Sequence, residues 1–111
     1  MREPTFWILT ALASATQHGY GLMREVERLS GGRVKLQAGT LYAALDRLDA
    51  EGLIELDREE IVGGRARRYY RLTDDGAAAL DAEAAQLRAS ADAATAQLSV
   101  RRRPGFGTVT P

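Results

Sequence analysis

Cysteine is absent from the 111 residues, which excludes disulfides and thiolate chemistry. With only one histidine, His18, the chain also lacks the ligands for a zinc site built from sulfur and imidazole. Neither sign of charge is in excess: 15 basic residues face 15 acidic ones, so a basic isoelectric point cannot argue for a nucleic-acid partner and only the distribution of charge can. Lysine is nearly missing, Lys35 standing alone among arginines, and with the abundant alanine this reads as high-GC coding and not as function. Long apolar runs are missing too; none approaches the roughly 20 residues needed to span a bilayer. The N-terminus has no basic region followed by an apolar stretch and a cleavage site. A cytoplasmic protein without a membrane partner is expected. The sequence holds no glycine-rich phosphate loop, no metal-ligand cluster and no nucleophile with an adjacent base. An enzyme is therefore not expected, nor a catalytic residue, metal or cofactor.

What is present is ordinary in bulk and uneven in detail. The 45% apolar and 27% charged composition suits one soluble domain with one modest core. Arginine is concentrated where Arg58 to Arg71 reads as a hairpin: its Gly63-Gly64 turn and return strand carry Arg65, Arg67, Arg68 and Arg71 beside Tyr69 and Tyr70. Arg101, Arg102 and Arg103 form a second cluster, and Asp74, Asp75, Asp81, Glu83 and Asp92 make the stretch between them acidic.

Helical periodicity predicts a first helix over about Phe6–Ser14, apolar almost all round and so buried or shared with another subunit. A second carries Leu22, Val26 and Leu29 at helical spacing and ends at Gly31-Gly32. Val34-Lys35-Leu36 reads as a short strand. A third helix, about Ala38–Glu51, turns Leu41, Leu45 and Leu48 inward and stops at Gly52. Ile54-Glu55-Leu56 and Arg68–Leu72 alternate as strands and pair as the hairpin. Thr73 caps a last helix of about Asp74–Ser99, with Asp74 and Asp75 favoured at its positive end. No internal repeat is present.

Three groups of side chains are candidates for contact. The third helix presents Gln37, Thr40, Ala43 and Arg47 away from its leucines, with Tyr42 at the core margin, where its hydroxyl would reach a phosphate or its ring would simply pack. This set suits a major groove, the alternative being a solvated face. Gly63, Gly64, Arg65, Arg67 and Arg68 form a wing for phosphates or a narrow minor groove, the alternative being pairing of the arginines with Glu59 and Glu60. Tyr70 alternates inward and belongs to the core. On the last helix Leu80, Ala84, Leu87, Ala91, Ala94 and Leu98 alternate by fours and threes, the seam of a coiled coil that wants a partner helix, with Trp7 as additional interface. His18, without a constellation around it, reads as a structural residue of the turn before the second helix.

The strings His18-Gly19-Tyr20, Gly39-Thr40-Leu41-Tyr42, Glu51-Gly52-Leu53-Ile54, Gly63-Gly64-Arg65 and Arg68-Tyr69-Tyr70-Arg71-Leu72-Thr73-Asp74-Asp75-Gly76, in this order, resemble the PadR family of bacterial transcriptional regulators over roughly Phe6–Leu80. The resemblance implies a mainly α fold with a small β-hairpin wing. Residues 1–72 would be a winged helix-turn-helix, 73–100 a C-terminal dimerisation helix and 101–111 a disordered basic tail. It implies a homodimeric regulator, most often a repressor, on double-stranded DNA with an inverted repeat related to ATGT and ACAT. It also leaves room for a small hydrophobic or aromatic effector at the dimer interface, where Trp7 would either line the pocket or simply pack. Two features depart from the family. Gln37 and Ala38 stand where many members have serine or glycine and then proline, which weakens the third helix's cap. The last helix has no aromatic residue, where members that hold flat drugs between paired tryptophans have one. The alternative from another class is a winged-helix module that binds an acidic protein partner.

Overall fold

The computed structural model describes residues 1–103. Seven elements follow one another: α1 (Glu3–Leu12), β1 (Gln17–His18), α2 (Gly19–Leu29), α3 (Ala38–Ala50), β2 (Ile54–Val62), β3 (Arg65–Leu72) and α4 (Asp74–Arg102). The strands form one antiparallel sheet in the order β1-β3-β2. The fold is thus mainly helical with a small sheet, as the periodicities imply.

The leucine stripes decide the packing. Ile8, Leu9 and Leu12 of α1, Leu22 and Val26 of α2 and Leu41, Leu45 and Leu48 of α3 are buried together with Ile54 and Tyr70. Each such aliphatic side chain contributes about 1.5–3 kcal/mol by leaving water, enough in sum to fix the three helices around the sheet. Tyr70 lies in the core, as its place in the alternation requires.

The structure departs from the expected elements in several places. Val34-Lys35-Leu36 is not a strand but a loop in which Val34 and Leu36 lean on the core. The strand position it would have filled is taken by β1, which pairs Gln17 with Tyr70 and His18 with Tyr69. β2 lies along one side of β3, and β1 covers the other side at Tyr69 and Tyr70. The first helix begins earlier than expected, at Glu3, because Pro4 stands in its first turn, where proline's missing N–H costs nothing. β2 continues past Leu56 to Val62, with a bulge between Leu56 and Arg58. α4 ends at Arg102 and not near Ser99, so the first two arginines of the basic cluster are helical. The expectation for Pro104 to Pro111 lies outside the described residues.

Two glycine sites shape the candidate interface. Gly63 and Gly64, both with positive φ (57° and 77°), form a two-residue turn of the kind that matches strand twist, which keeps Val62 opposite Arg65. Gly76 serves a different purpose. Thr73 caps the start of α4 by accepting from Gly76 N at 3.0 Å and donates its hydroxyl to the Gly52 carbonyl at 2.6 Å. This draws the first turn so close to Leu53 that a Cβ on residue 76 would overlap the Leu53 carbonyl oxygen and lie 2.7 Å from Leu72 Cδ1. Gly76→Ala gains about 1 kcal/mol of helix propensity against about 3 kcal/mol of overpacking. The expected result is a net loss of about 2 kcal/mol in urea denaturation, and an unchanged midpoint would show that this turn yields freely.

Candidate nucleic-acid interface

Burial of the leucine stripe leaves the opposite side of α3 in solvent: Gln37, Thr40, Ala43 and Arg47 are exposed and Tyr42 is 51% exposed. Gln37 precedes the helix and makes no side-chain capping bond, in keeping with the weak cap its identity suggests. Thr40, Ala43 and Arg47 line one groove of about 480 Å³, which Arg2 and Pro4 at the start of α1 close. Arg47 is not a loose cation. It donates to the buried Thr5 hydroxyl at 2.8 Å and lies 3.9 Å from the Glu51 carboxylate, so it joins α3 to α1.

Tyr42 belongs to a second groove, of about 370 Å³, shared with His18, Tyr20, Arg65, Arg67 and Arg68. Its ring rests on the backbone of Gly19, where a Cβ would come 2.6 Å from the hydroxyl and 2.9 Å from Cζ. A side chain at position 19 would therefore push the phenol off its seat. Gly19 and the exposed Tyr20 were missing from the expected contact set, although the string His18-Gly19-Tyr20 contained the signal.

His18 begins α2 as its N-cap, Nδ1 accepting from Gly21 N at 3.4 Å, with its ring edge-on to Tyr69 at 5.3 Å. Accepting through Nδ1 requires an unprotonated nitrogen. Burial and then the charges of Arg67 and Arg24 hold the imidazole pKa below its ordinary value, against a smaller opposing effect of Glu60. The structural reading of His18 thus has a concrete form.

The wing divides the arginines that the sequence groups together. Side chains alternate along β3, so Arg65, Arg67 and Tyr69 share one face and Ala66, Arg68 and the core residue Tyr70 the other. Arg68 is held above its ordinary pKa first by hydrogen bonding to the Tyr70 phenol, then by nearby charge including Glu59 and Asp46 of α3. The ladder sets Glu59 opposite Arg68 and Glu60 opposite Arg67. Yet among the described residues none of Arg65, Arg67 and Arg68 forms an ion pair within 4 Å. Glu60 is engaged by Arg58 at 2.8 Å, and Arg58 also reaches Asp57 at 2.9 Å and lies 4.0 Å over the Tyr69 ring. Arg71 is paired with Glu55 at 2.7 Å. Glu55, Asp57 and Glu60 are thereby engaged by Arg58 and Arg71, Glu59 acts at longer range on Arg68 and Arg67 on Glu60, and Arg65 and Arg67 make no ion pair among the described residues.

On α4, Leu80 leans on the core and Ala84 is half-buried, whereas Leu87, Ala91, Ala94 and Leu98 are exposed along with every residue from 85 to 103. Trp7 is half-buried with its surroundings already filled: Phe6 meets its ring edge-on at 5.1 Å, Arg33 lies 5.8 Å from it and Nε1 donates to Glu3 at 3.2 Å.

An exposed helix face beside a glycine-tipped basic hairpin is the arrangement of a winged-helix nucleic-acid reader. Residues 8–82 match the sequence model of the Transcriptional regulator PadR-like family. The chain is a member of this family. PadR-like proteins are transcriptional regulators and not enzymes. A transcriptional regulator of Mycobacterium tuberculosis is 47% identical over 73 residues, covering 66% of this chain and 64% of that relative. The chain thus spans less than two thirds of that regulator's length. A PadR family transcription regulator from Clostridium difficile superposes with a TM-score of 0.73 at 23% identity, over 87% of this chain and 99% of the other. Bacillus subtilis PadR, crystallised in complex with operator DNA, superposes with a TM-score of 0.65 at 27% identity, over 72% of this chain and 46% of the other.

Proposed function

We propose that this PadR-like protein is a cytoplasmic, homodimeric repressor that binds an inverted-repeat operator in double-stranded DNA. Each protomer places the Thr40, Ala43 and Gln37 side of α3 in a major groove and sets Tyr42, Arg65 and Arg67 against the adjoining phosphates. The observation that carries the reading is the wing: Arg58 and Arg71 take up hairpin carboxylates, and Arg65 and Arg67 face outward without an ion pair among the described residues. A surface intended only for solvent has no reason to divide its charges in this way. The operator complex of the Bacillus subtilis relative supports the choice of DNA as partner. Among the described residues no helix is long and apolar enough to cross a membrane.

Dimerisation runs through Leu87, Ala91, Ala94 and Leu98, the exposed part of the seam. An effector would act by shifting the population of dimers able to span both half-sites. Trp7 is a demanding place for it to bind, because a flat apolar molecule would have to displace Arg33 from the ring.

Footprinting on the DNA upstream of the protein's own gene tests the reading directly, with a scrambled duplex as control. Protection of a symmetric site is expected, and equal binding to the scrambled duplex would favour an acidic protein partner. Arg65→Ala and Arg67→Ala should each weaken binding to every sequence and reduce the slope of log affinity against log salt by about one unit. Gln37 and Thr40 variants should change the preferred bases instead. An unaltered salt slope in the arginine variants would mean that neither residue meets a phosphate.

A further inference from the structure

Arg47 is the only basic residue of α3, on the side of the helix that carries Ala43 and Thr40 one and two turns earlier. A cation in that place would ordinarily be free to turn toward a phosphate. Here Nη2 donates to the Thr5 hydroxyl of α1 at 2.8 Å, and Nε lies 3.9 Å from the Glu51 carboxylate. Thr5 is only 8% exposed, so the tie ends inside the protein although the Arg47 side chain itself is half-exposed. Swinging the guanidinium out to DNA would withdraw a charged donor from a buried hydroxyl, a larger loss than that of an ordinary hydrogen bond. α3 otherwise packs against α2 and β2, and its backbone makes few close approaches to α1. Burial of the leucines draws α3 onto the core without fixing its rotation closely, since apolar burial is non-directional. A hydrogen bond from a planar guanidinium accepts only a narrow range of angles.

We propose that Arg47 is a positioning residue for DNA recognition: anchored on Thr5 and Glu51, it fixes the roll of α3 so that Gln37, Thr40 and Ala43 meet the base edges, and it does not bind DNA itself. The inference rests on the DNA-binding reading above and gives α1 a part in the base preference of α3. Base contacts are made at side-chain tips about 5–6 Å from the helix axis, where a roll of about 10° displaces them by about 1 Å. A hydrogen bond that far out of place is lost, because the useful range of donor–acceptor distances is about 0.5 Å wide. The wing arginines lie on β3 and do not turn with α3. Loss of the tie should therefore lower selectivity and leave nonspecific binding intact. An arginine that met phosphate would do the reverse, contributing equally on every sequence.

Thr5→Val separates the two roles, because it keeps the shape of the side chain, removes the hydroxyl and lies at a site too buried to touch DNA. The probes are the strongest duplex that the wild-type protein enriches from a random pool and a scrambled duplex of the same composition, titrated by anisotropy over a range of salt. Thr5→Val and Arg47→Ala should each bind the selected duplex about tenfold more weakly, the loss of about one base contact. Affinity for the scrambled duplex and the slope of log affinity against log salt should stay as in wild type. The double variant should be no weaker than Arg47→Ala alone, because the two residues act through one bond. Thr5→Ser, which restores the hydroxyl, should bind like wild type. If Thr5→Val and Arg47→Ala lower only the thermal midpoint and keep the full preference, the bond is structural and the proposal is overturned. Additive losses in the double variant would have the same meaning. If Arg47→Ala weakens both duplexes alike and flattens the salt slope by about one unit, Arg47 is a phosphate contact, and the proposal falls while the DNA reading stands. Failure of the pool to enrich any duplex would overturn both readings.

Discussion

Leu87→Glu is expected to convert the proposed dimer to a monomer at micromolar concentration and to reduce its operator affinity by about 100-fold or more at the same time. Leu87 is 49% exposed in the single chain and is the third of the six seam positions from Leu80 to Leu98. Removing a central interface residue costs about 2 kcal/mol or more. A two-fold axis counts that loss twice, so the dimer weakens by about 4 kcal/mol, roughly a thousandfold in dissociation constant. Burying a carboxylate against a neighbouring leucine adds to the loss. Because alanine alternates with leucine, the helices must approach closely, and a longer side chain has little space to escape. Fold and assembly can be separated: Leu87 has no part in the buried cluster, so the helical circular dichroism of residues 1–81 should survive. Sedimentation velocity checks the outcome, and an unchanged dimer would place the interface elsewhere on the chain.

The sequence discloses those parts of the molecule whose determinants are local. The leucine stripes of α2 and α3, the Gly63-Gly64 turn and the Thr73 cap each depend on residues within a few positions of one another, and the elements lie where the pattern puts them. β1 was not legible because two residues have no period. Gln17 and His18 become a strand only through Tyr69 and Tyr70, more than fifty positions away. Val34 and Leu36 pack on the core from a loop, which their apolar alternation did not distinguish from a strand.

The candidate interface shows the same division. That Thr40, Ala43 and Arg47 are exposed follows from the stripe opposite them; that Arg47 is tied to Thr5, and that Tyr42 sits over Gly19, are tertiary facts with no sequence period. Glu59 and Glu60 were natural partners for the wing arginines by proximity, but the bulge at Asp57 and the stacking of Arg58 on Tyr69 give Arg58 the acidic contacts, with Asp57 and Glu60.

Moving the two half-sites of the operator apart by about 5 base pairs should reduce binding by about 100-fold or more, the contribution a second linked contact commonly makes. Half a helical turn carries one half-site to the opposite side of the duplex. Under the proposed dimer the two copies of α3 are expected about 34 Å apart for half-sites one turn apart. Insertion of a full turn restores the side but adds about 34 Å to the separation. Following that stretch would require the proposed Leu87–Leu98 seam to open, at the expense of the proposed dimer contact. Both insertions should therefore fail in an anisotropy titration, leaving only the weak affinity of one winged helix for one half-site. The two failures also distinguish rigid coupling from flexible tethering: protomers joined by a slack connection would tolerate the full turn. Equal affinity for the original and half-turn operators would show that each protomer reads its half-site independently.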